Sequence, residues 1–231
     1  MSAAAQPLTI TVDDGQRVSG LLQAPPAPRA CYVVAHGAGA GMAHPFMTAI
    51  ANELAARGIA TLRYQFPYME QGKKRPDPPK LAHATVRAAV MEASRRVPEL
   101  PLFAGGKSFG GRMTSQAEAT APLPAVRGLA FLGFPLHPAG QPSEERGAHL
   151  AAVLVPMLFL QGTRDQLADP QLVQSLIERI GARATLQLLP DADHSFHVPA
   201  RTGRKDAEVL AEMADALAAW IDMTIPRPVR R

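Results

Sequence analysis

Leu102-Phe103-Ala104-Gly105-Gly106-Lys107-Ser108-Phe109-Gly110-Gly111-Arg112 joins a short apolar run, residues 102–104, to a segment suited to a helix from about Phe109. Between them lies Gly106-Lys107-Ser108-Phe109-Gly110, a G-x-S-x-G pattern. A serine exposed on a sharp strand-to-helix turn needs glycine two residues before and two after it, because side chains there would collide with the turn. Gly106 and Gly110 fill both places. The same glycines would also suit a loop that holds phosphate on its amides, but no Walker or dinucleotide pattern accompanies them.

Outward from this turn, the pattern repeats as short apolar runs, each followed by a segment of helical period. Residues 31–35, 60–64, 102–104, 128–132, 157–160 and 185–189 read as strands buried on both faces. Helices are predicted over 45–57, 81–96, 170–180 and 203–221, with Gly58 and Gly181 as stop signals. Residues 8–12 and 18–22 precede them as an antiparallel hairpin joined by Asp13-Asp14-Gly15. A hairpin followed by repeated β-α units predicts an α/β fold, a mostly parallel sheet with helices on both faces. Such sheets carry their chemistry at the carboxyl ends of the strands.

A serine hydroxyl is a weak nucleophile, so it needs an imidazole to take its proton and a carboxylate to hold that imidazole. His194 follows the last strand in Pro190-Asp191-Ala192-Asp193-His194-Ser195-Phe196, ahead of the final helix, where a base can reach the serine. Asp191, Asp193, His194 and His197 also admit a metal reading, but no further spaced ligands accompany them. Asp165 lies in the loop after 157–160 and is the expected acid. Its rival Asp169 precedes Pro170 and reads as a helix N-cap. Charge developing on a carbonyl oxygen requires backbone donors. One is expected from the amide of Phe109, the other from Ala38 in His36-Gly37-Ala38-Gly39-Ala40-Gly41, with Gly39 as the alternative register. His36 and His44 receive no role.

Composition bounds the rest. The chain has 231 residues, 47% of them hydrophobic and 19% charged, as expected for a globular protein with a sizeable core. The excess of basic residues is only +4, with Arg227, Arg230 and Arg231 at the end, and aromatics are 5%, so a nucleic-acid partner is not expected. Cys31 is the only cysteine, which rules out an intrachain disulfide and Cys-rich zinc motifs. Residues 1–7 lack a signal-peptide pattern, and the apolar run 150–160 is short and interrupted by Pro156. A cytoplasmic protein without a membrane partner is expected, and composition says nothing of oligomeric state. Between the strands 128–132 and 157–160 there is room for one short helix at most, over 144–153, which predicts a shallow cleft that takes short acyl groups. Lys73, Lys74 and Arg75, in the Pro-rich segment 67–80, would suit either steering of an anionic substrate or a solvated turn, and the solvated turn is favoured because a charge run needs no function to exist.

With His36-Gly37, Gly106-x-Ser108-x-Gly110, Asp165 and His194 in this order, the chain resembles the α/β-hydrolases, and among them the dienelactone-hydrolase-like members. His36-Gly37-Ala38-Gly39-Ala40 and Gly105-Gly106-Lys107-Ser108-Phe109-Gly110-Gly111-Arg112 resemble the Tex-type and chromatin-complex-subunit branch of predicted hydrolases. The resemblance spans nearly the whole chain and implies one α/β-hydrolase domain over 1–231 with a minimal cap. It also implies a catalytic Ser108, Asp165 and His194 with oxyanion donors at Ala38 and Phe109. Serine stands where dienelactone hydrolases carry cysteine. The expected activity is that of a serine hydrolase cleaving a carboxylic ester or thioester of a small soluble substrate through an acyl-enzyme, with no cofactor or metal. The alternative is a non-catalytic, hydrolase-fold interaction module.

Overall fold

A computed structural model describes residues 4–225, so the basic stretch with Arg227, Arg230 and Arg231 lies outside the described residues. The chain opens with β1 (Gln6–Thr11) and β2 (Arg17–Gln23), paired antiparallel around a 3-10 turn at Asp13–Gly15. The β-α units follow: β3 (Ala30–Ala35), α1 (Pro45–Ala56), β4 (Ile59–Tyr64), α2 (Pro67–Glu70), α3 (Pro79–Arg96), β5 (Leu102–Lys107), α4 (Phe109–Thr120) and β6 (Val126–Leu132). After a 3-10 segment at Glu145–Ala152 come β7 (Met157–Gly162), α5 (Pro170–Ile180), β8 (Ala184–Leu189) and α6 (Asp206–Thr224). Among the described residues the strands form one sheet of eight, in the order β1-β2-β4-β3-β5-β6-β7-β8. From β4 to β8 every pairing is parallel.

The apolar runs look continuous because successive side chains point to opposite faces and both faces are covered. In β3, Cys31, Val33 and Ala35 join the core beneath α3, α4 and α5, whereas Ala30, Tyr32 and Val34 join the core beneath α1 and α6. β7 divides in the same way, with Met157 and Phe159 on one face and Leu158 and Leu160 on the other. Trp220 of α6 packs edge-on against Phe103 of β5 on that second face.

Several boundaries differ from the sequence expectation. β5 runs on to Lys107, because pairing with β3 and β6 holds Gly105 and Gly106 extended although glycine disfavours strands. The segment expected as a loop over 67–80 contains α2, whose first residue, Pro67, has no N–H to leave unpaired. The last helix begins at Asp206 rather than 203, since Ala200–Thr202 forms its own 3-10 turn and Glu208 accepts from the Lys205 amide to close the new start. The short helix expected over 144–153 is 3-10 rather than α-helix and packs against α4 and α5, and residues 133–156 supply only this small cap. No helix among the described residues is long and apolar enough to cross a membrane.

Candidate active site

The carboxyl ends of β3, β5, β7 and β8 share one edge of the sheet, and the loops that leave them converge. At the end of β5 the chain turns so sharply that Ser108 adopts φ 50° and ψ −116°, a conformation that costs a non-glycine residue free energy. The motif glycines permit this turn through close approach. A Cβ on Gly106 would stand 2.4 Å from the Ala35 carbonyl oxygen, and one on Gly110 would stand 2.5 Å from that of His36. The elbow is thus pressed against the end of β3, which brings the Ala38 loop beside the serine.

His194 reaches across from the loop after β8. Its Nε2 accepts from the Ser108 hydroxyl at 2.8 Å, while Nδ1 donates to Asp165 Oδ2 at 2.7 Å. Asp165 is buried, and its carboxylate also accepts from Gln161 Nε2 at 2.6 Å and from the Leu167 amide at 2.8 Å. Gln161 in turn accepts from the Phe134 amide, so the carboxylate is fixed from two sides. The rival Asp169 caps α5, as its place before Pro170 predicts. Its Oδ1 accepts from the Gln171 and Leu172 amides, and its own amide donates to His137 Nε2.

The loop holding His194 is built around Asp193, whose Oδ1 accepts from the amides of Ser195 and His197. His197 pairs with Asp206 at 2.5 Å, which raises the imidazole pKa through that hydrogen bond despite burial pulling the other way. Asp193 and His197 are therefore engaged with the loop's own backbone and with α6. Among the described residues no group of three or more His, Cys, Asp or Glu is arranged to hold a metal.

The two candidate oxyanion amides differ from the rival register in one respect. The Gly39 amide donates to the Tyr68 hydroxyl at 2.8 Å, whereas among the described residues the Ala38 and Phe109 amides have no hydrogen-bond partner. Ala38 is exposed and lines the same cavity as Ser108. His36, without a role in the sequence, is fully buried and ties this loop down. It donates from Nδ1 to the Gly37 carbonyl at 2.7 Å and accepts at Nε2 from the Phe66 amide at 3.2 Å. Burial lowers its pKa to about 4, so it stays neutral and keeps that tautomer. His44 accepts from the Phe46 amide and starts α1.

A cavity of about 730 Å³ opens beside Ser108 and His194. Its walls come from the start of α1, with Phe46 and Met47, and from Phe196 and Leu210 on the α6 side. The cap contributes nothing to this lining. The second wall, α6, is distant in sequence and gave no local sign of its part. Gln161 did leave a sign, as a lone polar residue near the end of an otherwise apolar strand.

A profile of the α/β-hydrolase domain family matches residues 28–222. Among solved structures, the chain is similar to a serine hydrolase without a lid from Xanthomonas campestris, at 22% identity over 99% of this chain and 98% of that one, with a TM-score of 0.73. It is also similar to a dienelactone hydrolase from Anabaena variabilis, at 19% identity over 98% and 100% of the two chains and a TM-score of 0.78. The esterase domain of a Rhodothermus marinus protein matches at 19% identity over 95% and 98%, with a TM-score of 0.72. At these identities the likeness is one of fold.

Proposed function

The chain belongs to the α/β-hydrolase family, and from that premise we propose that it is a serine hydrolase that cleaves a carboxylic ester or thioester through an acyl-enzyme on Ser108. The observation that carries this reading is the unbroken relay from Ser108 Oγ to His194 Nε2, at 2.8 Å, and from His194 Nδ1 to Asp165, at 2.7 Å. Ser108 Oγ attacks the carbonyl carbon as its proton passes to His194 Nε2, and the tetrahedral oxyanion takes hydrogen bonds from the Ala38 and Phe109 amides. Collapse expels the alcohol or thiol, which leaves with the proton from His194. Water then attacks the acyl-enzyme, His194 takes a proton from it and returns it to Ser108, and a carboxylic acid is released. Asp165 stays ionised and stabilises the imidazolium formed in each half-reaction.

The substrate is a small soluble ester or thioester. One of its groups lies in the cavity between α1 and α6, against Phe46, Met47, Phe196 and Leu210. Labelling with a fluorophosphonate probe tests the assignment. Wild-type protein is expected to react, and Ser108→Ala, folded by circular dichroism, is expected not to. Equal labelling of both, or of neither, overturns Ser108 as nucleophile, and labelling of neither favours an interaction module on the same fold.

A further inference from the structure

Lys107, which immediately precedes the elbow serine, sends its side chain across to the other half of the site. Its Nζ donates to the backbone carbonyl of His194 at 2.6 Å and lies 5.0 Å from the centre of the Phe196 ring. Among the described residues no carboxylate oxygen lies within 4.0 Å of this ammonium, so it is a partly buried cation held by a neutral carbonyl and an aromatic face. Burying an ammonium without a contact ion pair is costly, and a loop that needed only a hydrogen bond would be served by a neutral donor.

The loop it reaches is strained. Asp191 and Phe196, on either side of His194, adopt φ 61° and 65° without being glycine, and such conformations persist only where surrounding contacts hold them. Space is left for the clamp at Gly133 of the β6 end. A Cβ there would stand 3.1 Å from Lys107 Nζ and 3.6 Å from His194 Nδ1. We propose that Lys107 is a positioning residue whose ammonium grips the His194 carbonyl and the Phe196 ring, holding the strained loop so that the imidazole stays over Ser108. This rests on the serine-hydrolase reading of Ser108 and His194.

The clamp also has a pH dependence. Burial lowers the Lys107 pKa to about 8, while Asp165, in the loop after β7, and Asp193, in the loop after β8, act in the opposite direction. The other titratable groups around it are the His194 imidazole, with His44, His197 and Asp206 lining the same cavity. The charge on Lys107 is present below about 8 and is lost as pH rises through that value, and with it the charge-assisted part of the bond and the attraction to the ring.

The test compares wild type with Lys107→Met, using kcat and KM for p-nitrophenyl acetate from pH 6 to 10 together with hydrogen exchange of the amides in residues 190–198. Lys107→Met is expected to lose about tenfold or more in kcat at pH 7 with little change in KM, because the imidazole is misplaced rather than the substrate unbound. Loop amides are expected to exchange faster, and an alkaline fall in wild-type kcat centred near pH 8 should be absent in the variant. Wild-type kcat, loop protection and pH profile in Lys107→Met overturn the clamp. If that variant does not fold, protection factors of the loop in the wild-type protein decide, and a loop equally protected at pH 7 and pH 9.5 overturns it. Absence of Ser108-dependent probe labelling in the wild type would instead strike the hydrolase reading, while the exchange data still decide the clamp.

Discussion

At the scale of single residues, two aspartates four positions apart do different work because of what reaches them. Asp165 takes hydrogen bonds from Gln161, Leu167 and His194, all in or beside the site, whereas Asp169 spends its carboxylate on the first amides of α5. Replacing Asp165 by Asn gives Nδ1 of His194 a partner of ambiguous polarity and frees the ring to present the wrong tautomer. On the precedent of serine triads, Asp165→Asn is expected to cost about 10⁴ in kcat with the fold intact. Asp169→Ala is expected to leave kcat within about threefold of wild type but to lower stability by about 1 kcal/mol through loss of an N-cap. Parallel esterase kinetics and urea unfolding of the two variants read both effects. A near-wild-type kcat in Asp165→Asn would remove it from the relay.

At the scale of elements, the site divides between loops that hold the hydrogen-bonded Ser108, His194 and Asp165 and helices that shape the cavity. The loop after β3 is tied to the segment after β4 by His36 accepting from the Phe66 amide, by Tyr68 accepting from the Gly39 amide and by Gln65 accepting from the Met42 amide. The cavity walls are the starts of α1 and α6, and those helices pack together on the face of the sheet away from α3. An acyl chain along Phe46, Met47 and Leu210 gains about 0.8 kcal/mol for each methylene that is fully buried, and nothing once the chain extends past these walls. A p-nitrophenyl ester series is therefore expected to rise in kcat/KM from acetate toward butyrate or hexanoate and to level off or decline beyond. A continued rise to dodecanoate or longer would mean that the acyl group is bound elsewhere, or that the cap closes over it.

For the whole molecule, burial of neutral imidazoles couples folding to pH. His36 is lowered to about 4 by burial, and His149 is likewise lowered to about 4, by burial first and then by the nearby charges of Arg112 and His83. Since the unfolded chain takes up these protons near pH 6.5 and the folded one only near 4, their stabilisation is complete above about 6.5 and is lost as pH falls toward 4. His36 alone accounts for roughly 3 kcal/mol over that interval. His197, raised by Asp206, has the opposite sign, but the pair is exposed and screened. Urea unfolding at pH 4.5, 5.5 and 7 should show stability climbing with pH, and His36→Gln should flatten the climb. An equal slope in that variant would assign the effect to other groups.

The sequence by itself determined the alternation of strands and helices, since strands buried on both faces must be apolar throughout and crossover helices must carry one apolar stripe. It also determined the elbow, because only glycine at 106 and 110 lets the turn press against β3. Ser108, His194 and Asp165 could be nominated from their places after strands, and the structure brings them within hydrogen-bonding distance. What only the tertiary structure decided involves partners far apart in the chain: Lys107 on His194, Gln161 between Asp165 and Phe134, Tyr68 on Gly39, and a cavity walled by α1 and α6. No local pattern encodes such pairs, because a side chain's partner across the sheet edge is set by strand order and register. Those become definite only when the whole sheet has formed.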